Sequence, residues 1–221
     1  TLERDRWSTN LKAMRDLDLA TKFPDPLDYN RGLRALFQLD NYDYVDRRRL
    51  MGQWLRFVGD RERAQLRVET GVAEDRGASV HLARSPLGIG SDFRPSRIVQ
   101  DGRYTRSAVT LDVRPDVSLE FLRTGTGVRL YYERGDGELN YQRAEGRFTL
   151  RSNRGPFSLG ARLDVGVTNP DAPPQQFFEL GQNQNLPGYG YKEFAGDQAV
   201  VFRLLALRRL PLLGAPTRIT P

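Results

Sequence analysis

The sequence has no cysteine and a single histidine, His81, in 221 residues. Disulfides and thiolate metal sites are therefore excluded, as is any site needing two histidines. Lysine occurs only at Lys12, Lys22 and Lys192, so arginine supplies nearly all the positive charge behind the formal net charge of +6. Acidic residues are interspersed with those arginines, which argues against a nucleic-acid surface. No apolar run approaches the roughly 18 residues of a membrane helix, and no signal-peptide pattern opens the chain. Neither absence excludes membrane-spanning strands, whose alternating faces keep hydropathy low. Catalytic patterns are missing too: there is no Gly-x-Ser-x-Gly elbow, no His-Glu-x-x-His and no phosphate loop. His81, between Val80 and Leu82, reads as a strand residue rather than a base. The sequence implies no enzyme, no metal and no cofactor.

What is present is mostly alternation. Residues 5–20 are the exception. Trp7, Leu11, Met14 and Leu17 recur every three or four positions, which predicts a short amphipathic helix capped by Asp5 or Ser8. The prolines between Phe23 and Leu27 then make a stiff linker. From Tyr29 onward the period is two. Leu33, Ala35, Phe37 and Leu39 form one such edge, and Ala64, Leu66, Val68, Thr70 and Val72 another. Later runs are cleaner. Val109, Leu111 and Val113 oppose Ala108, Thr110 and Asp112, and Phe148 and Leu150 oppose Arg147 and Thr149. Leu159, Leu163, Val165 and Val167 oppose Ser158, Arg162, Asp164 and Gly166. Gly135 to Gly137 reads as a hairpin turn, Asn153 to Pro156 as another, and residues 77–84 and 117–123 as further strands.

The expected architecture is all-β, with about nine to eleven antiparallel strands. Strand length is the discriminating quantity. Soluble sheets use about 5–6 residues per strand, whereas tilted membrane spans need ~9–11, and several segments here reach the second figure. The face opposite the apolar one carries Arg, Asp, Glu and Gln. That pattern suits the wet lumen of a transmembrane β-barrel, and it also suits the solvent side of a soluble β-sandwich. The expected division is a helix and linker over 1–27, a barrel domain over 28–213, partial or small, and a tail over 214–221.

The stretch 176–197, rich in glycine, amides and aromatics, lies between two long strands. Phe178-Glu179-Leu180-Gly181, Leu186-Pro187-Gly188-Tyr189 and Phe194-Ala195-Gly196-Asp197 together resemble the long-loop signature of a bacterial outer-membrane barrel superfamily. That superfamily comprises surface-antigen barrels, assembly factors and two-partner secretion transporters. Tyr29-Asn30-Arg31-Gly32-Leu33 resembles the opening of its first strand. The resemblance implies a larger barrel of sixteen strands, whose remaining strands would follow the loop. It also implies a loop folded into the lumen. Gly188 and Tyr189 match the glycine–aromatic pair that touches the inner wall, and Gly196-Asp197 matches the start of the next strand. Asp197 would pair with an inward arginine, Arg147 or Arg162. Where the family carries an arginine ahead of the pair, this chain has Pro187.

The function so implied is non-catalytic: insertion or translocation of other polypeptides at the bacterial outer membrane, or display of a linked periplasmic domain. Its partners would be outer-membrane lipid and polypeptide substrates. A passive porin-like channel with an arginine-rich lumen, and a soluble sandwich serving as a binding or accessory module, are the alternatives.

Overall fold

Alternation decides the fold, because a strand whose every second residue is charged has only one face that tolerates burial among other charges. A computed structural model describes residues 2–4, 6–20, 23, 43–59, 63–78, 98–118, 124–181, 186, 188–190 and 193–208. The strands are β1 (Leu2–Arg4), β2 (Trp7–Leu19), β3 (Tyr44–Val58), β4 (Ala64–Gly77), β5 (Gly102–Val113), β6 (Gly125–Gly137), β7 (Tyr141–Arg154), β8 (Phe157–Thr168), β9 (Phe178–Leu180), β10 (Phe194–Gly196) and β11 (Gln198–Arg208). One helical turn, α1 (Pro115–Ser118), lies between β5 and β6. Nine strands make one antiparallel sheet in the order β1-β2-β3-β4-β5-β6-β7-β8-β11, and β9 pairs with β10 apart from it.

The expected all-β antiparallel class is what forms, but the expected closed barrel is not. Among the described residues no ladder joins β11 to β2, so the sheet keeps two edges. It is nonetheless strongly curled. A single cavity of about 260 Å³ is lined by side chains from every strand from β2 to β8, which a flat sheet cannot do. The right-handed twist of long strands supplies this curl.

The predicted N-terminal helix is a strand. Residues 7–19 pair with β3 along their whole length, from Trp7 opposite Arg56 to Leu19 opposite Tyr44. The apolar residues Trp7, Leu11, Ala13 and Leu17 all fall on odd positions, while Ser8, Asn10, Lys12, Asp16 and Asp18 fall on even ones. Met14, on an even position, is what made the spacing look helical. Cross-strand ion pairs then favour the strand: Arg49 Nη2 donates to Asp16 Oδ2 at 2.8 Å, and Arg47 Nη1 to Asp18 Oδ2 at 3.3 Å.

One turn also moves. The β6–β7 reversal lies at residues 138–140, not at Gly135 to Gly137. Gly135 stays in the ladder because Tyr141 sits directly opposite and its ring fills the space a Cβ at Gly135 would need. β4 runs unbroken to Gly77, and α1 takes up residues 117–118 of the strand predicted over 117–123, whose remainder lies outside the described residues. The predicted strand at 29–40, and residues 79–84 of the one predicted at 77–84, with His81, lie outside the described residues. The Asn153 to Pro156 turn is where it was expected, with Gly155 at φ 56°.

The connections differ between the two ends of the sheet. At one end, residues 59–63, 114–124 and 155–156 join neighbouring strands. At the other, 20–43, 78–101 and 169–197 do, with 138–140 the single short link.

Burial is inverted relative to a soluble protein. Asp75, Asp112, Glu133, Arg143, Arg162 and Asp164 are buried, whereas Leu50, Val72, Val109, Leu130, Phe148, Leu163, Val165, Phe202 and Leu204 are exposed. Register puts the first group on the concave face and the second on the convex face. Leu159, Leu163, Val165 and Phe202, the residues that separate a barrel wall from a sandwich, are covered by no second layer among the described residues.

Candidate functional site

The concave face is a wall of paired charges. Arg47 grips Asp75 with two bonds of 2.7 Å from Nε and Nη2, and Tyr104 Oη donates to the same carboxylate at 3.1 Å. Two strands on, Glu133 accepts from Arg106 Nε at 2.9 Å, from Arg106 Nη2, and from the hydroxyls of Tyr131 and Tyr141. Tyr104 and Tyr141 meet edge to face at 5.8 Å and join the two groups. Nearer the other end, Asp164 collects Arg162 (Nε–Oδ2, 2.7 Å), Arg147 (Nε–Oδ1, 2.7 Å) and Arg203 (3.5 Å). Taking these charges from water costs several kcal/mol per ion, and only near-complete pairing offsets it. Bidentate arginine geometry supplies that pairing.

Arginine outnumbers carboxylate in the lining of the cavity. Arg47, Arg49, Arg67, Arg106, Arg129, Arg143 and Arg147 line the cavity, facing the carboxylates of Asp18, Glu69, Glu133, Glu145 and Asp164. Asp112, just outside, is approached by Arg129 at 3.9 Å. Outside the strands, the side-chain hydrogen bond from Arg114 to Asp116 holds the arginine's pKa above its usual value.

The mouth at the long-connection end is stoppered from within. After β8 the chain makes a 3₁₀ turn over Pro174–Gln176 and enters β9. Gln175 and Gln100 bond reciprocally, Nε2 to O at 2.9 Å and N to Oε1 at 3.1 Å, tying two connections together. Arg143 Nη1 donates to the Gln176 carbonyl at 2.6 Å, and its guanidinium lies 4.2 Å over the Phe178 ring. Phe178 is buried against Gly166, where a Cβ would collide with the ring. Phe23, Ala199 and Val201 complete that cluster, with Phe23 edge-on to Phe178 at 4.8 Å. Tyr104, Leu139, Tyr141, Ala73 and Ala172 form a second one.

The residues singled out from sequence divide. Arg147 and Arg162 do face inward, but the carboxylate they share is Asp164, not Asp197. Asp197 instead accepts a backbone bond from the Thr168 N–H, at 2.7 Å, as β11 begins. Gly188 has the left-handed φ of 94° that its turn needs, yet a Cβ there would meet nothing. It therefore makes no close approach to the wall. Tyr189 is exposed and stacks edge-on against Phe194 at 5.2 Å. Its N–H reaches the Leu186 carbonyl at 3.4 Å. Gly196 pairs opposite Phe178 between β10 and β9. Pro187 lies outside the described residues. Among the described residues the part of the long connection that enters the mouth is thus 174–180, which takes in the Phe178–Leu180 piece of the predicted signature but not Gly188 and Tyr189. The glutamine pair and the double phenylalanine at 175–178 were its signal, since Gln175 and Gln176 are polar residues that only a satisfied interior would bury.

Among the described residues no group of His, Cys, Asp and Glu side chains is placed to hold a metal ion. No helix is long and apolar enough to cross a membrane, which says nothing of crossing by strands. The chain matches no family model and no curated protein.

Proposed function

We propose that this chain forms the wall of a bacterial outer-membrane β-barrel of the surface-antigen and assembly-factor type, acting without catalysis in the insertion or translocation of other polypeptides. The observation that carries the membrane part is the inversion of faces. Rows of exposed Leu, Val and Phe cover the convex side, while buried Arg, Asp and Glu fill the concave side. In water, a contiguous apolar face of this size marks an interface, and here it runs along every long strand of the sheet. Strand length agrees: the eight long strands have 11 to 15 residues, enough for a tilted span. So does the contrast between shorter turns at one end and longer connections at the other. The polypeptide-handling part rests on the resemblance of the 178–197 motifs.

The test is partitioning. The full chain, refolded into neutral detergent, is expected to run faster on a gel when unheated than when boiled, and to aggregate when detergent is removed. A monodisperse monomer in plain buffer would replace the membrane reading with the sandwich module. The cavity is small and its mouth is closed by Phe178 and Gln176, so planar bilayers are expected to show little steady conductance. A stable, anion-selective open pore would replace the translocation role with the passive channel.

A further inference from the structure

The convex face is apolar through its middle and carries charge at both rims, with Arg56, Arg154 and Arg208 at the short-turn end. On the rim at the long-connection end, two adjacent cross-strand rows have opposite character. Ala13, Leu50, Val72 and Thr105 are register partners in one row. Arg15, Arg48, Glu74 and Arg103 are partners in the next, one pleat repeat away. Together they line a shallow open groove of about 910 Å³ that runs across β2 to β5 and ends on Asp136 and Gly137 of β6.

The charged row is short of acceptors. Glu74 alone serves three guanidiniums: Arg76 Nη2 at 2.8 Å, Arg103 Nε at 2.9 Å and Arg48 Nη1 at 3.7 Å. Arg48 Nε is buried with no hydrogen-bond partner. Arg15 holds Asp46 at 2.9 Å, and Arg134 approaches Asp136 at 3.8 Å. Among the described residues Asp101 and Glu138 stand at the mouth beside Arg76 and Arg103, but within the cross-strand row itself Arg15, Arg48 and Arg103 accompany the single carboxylate of Glu74. Arg103, Arg76 and Arg48 keep 73%, 46% and 42% of their side-chain surface exposed.

We infer that this rim binds the phosphate of a lipid headgroup, with Arg48, Arg76 and Arg103 as its donors and Leu50 and Val72 beneath the acyl chains. The inference rests on the membrane reading above. The planar fork of arginine matches phosphate oxygens with paired bonds, and anionic headgroups are attracted to basic clusters at a bilayer surface. A soluble anion would use the arginines alone; the apolar row directly alongside is what selects an amphiphile. A phosphate there also gives the Arg48 Nε an acceptor.

The test uses the full chain folded in neutral micelles, with native mass spectrometry against phosphatidic acid, phosphatidylcholine and inorganic phosphate. Retention of phosphatidic acid over phosphatidylcholine is expected, weakened by salt. Arg48→Ser with Arg103→Ser is expected to lower that retention roughly tenfold or more, from the loss of charge-assisted donors. Arg154→Ser with Arg208→Ser, at the opposite rim, should leave it unchanged, and unheated gel mobility reports that both variants fold. Equal retention of the two lipids, or indifference to the Arg48/Arg103 change, overturns the site. Inorganic phosphate bound as well as the lipid overturns the lipid assignment. A chain that needs no micelle overturns the membrane reading, and the site with it.

Discussion

Asp164 shows how much one carboxylate decides on the concave face. It is 1% exposed and is contacted by three arginines from β7, β8 and β11. Removing one partner of a buried ion pair leaves charge without compensation, which costs about 3–5 kcal/mol. Asp164→Ala is expected to lose that much in urea unfolding monitored by Trp7 and Trp54 fluorescence. The convex pair Arg15–Asp46 has the same chemistry at 2.9 Å, but the arginine is mostly solvated. Surface pairs contribute little, so Asp46→Ala should leave the unfolding midpoint unmoved. Equal losses from the two variants would mean that burial is not what sets the strength of these pairs. Gly166 makes a second test at this scale. A Cβ there collides with the Phe178 ring, and overpacking of this kind costs about 1–3 kcal/mol. Gly166→Val should pay that cost with Phe178 present and lose most of it in a Phe178→Ala background. The coupling in such a double-mutant cycle belongs to the pair. If the two changes simply add, Phe178 does not occupy the mouth.

The element scale shows what was legible in the sequence. On β5, β7 and β8 the alternation named both faces correctly, because each apolar residue there has a charged or small neighbour on either side. β2 was misread because Met14 breaks the parity and a strand with Leu at 11 and 17 also satisfies helical spacing. What decides the matter is Arg47 and Arg49 on β3, some thirty residues away, and no local pattern contains them. The same limit hid the ion pairs. That Arg147 and Arg162 point inward follows from parity, but their sharing Asp164 rather than Asp197 follows from the β7–β8 register and from a chain path through 174–180. The long strands also carry the sharpest test of what the convex face touches. Leu163 lies midway along β8 on that face. Facing lipid near the midplane, Leu163→Arg should cost ~2–4 kcal/mol. Facing water, a surface substitution of this kind stays within about ±0.5 kcal/mol. Urea unfolding from bilayers separates the two, and the smaller value would remove lipid from the picture.

At the scale of the whole molecule the governing feature is the pair of edges that the sheet keeps among the described residues. An unpaired backbone N–H or C=O in hydrocarbon costs several kcal/mol, and β11 offers one side of an eleven-residue strand. The edge of β2 is partly taken, since β1 pairs with Trp7 to Thr9. A curled sheet of this kind cannot sit in a bilayer with both edges bare. β11 reaches β2 within one chain, further strands take up the edges, or edges pair between copies, as exposed strand edges do. With β1 already on part of β2, pairing between copies is the expected outcome for this chain alone. The sequence has no cysteine, so introduced ones report without background. Directly opposed residues on antiparallel strands bring Cα atoms within the ~4.4–6.8 Å that a disulfide spans. Single cysteines at Val200, Phe202 and Leu204 should therefore include one that gives an oxidised dimer on a non-reducing gel from bilayers. Val109→Cys, in the middle of the sheet, should give none. If no β11 position crosslinks between chains, and a cysteine on β11 instead bonds within one chain to a cysteine on β2 between Asn10 and Asp18, the sheet closes on itself in lipid and the barrel is a small one.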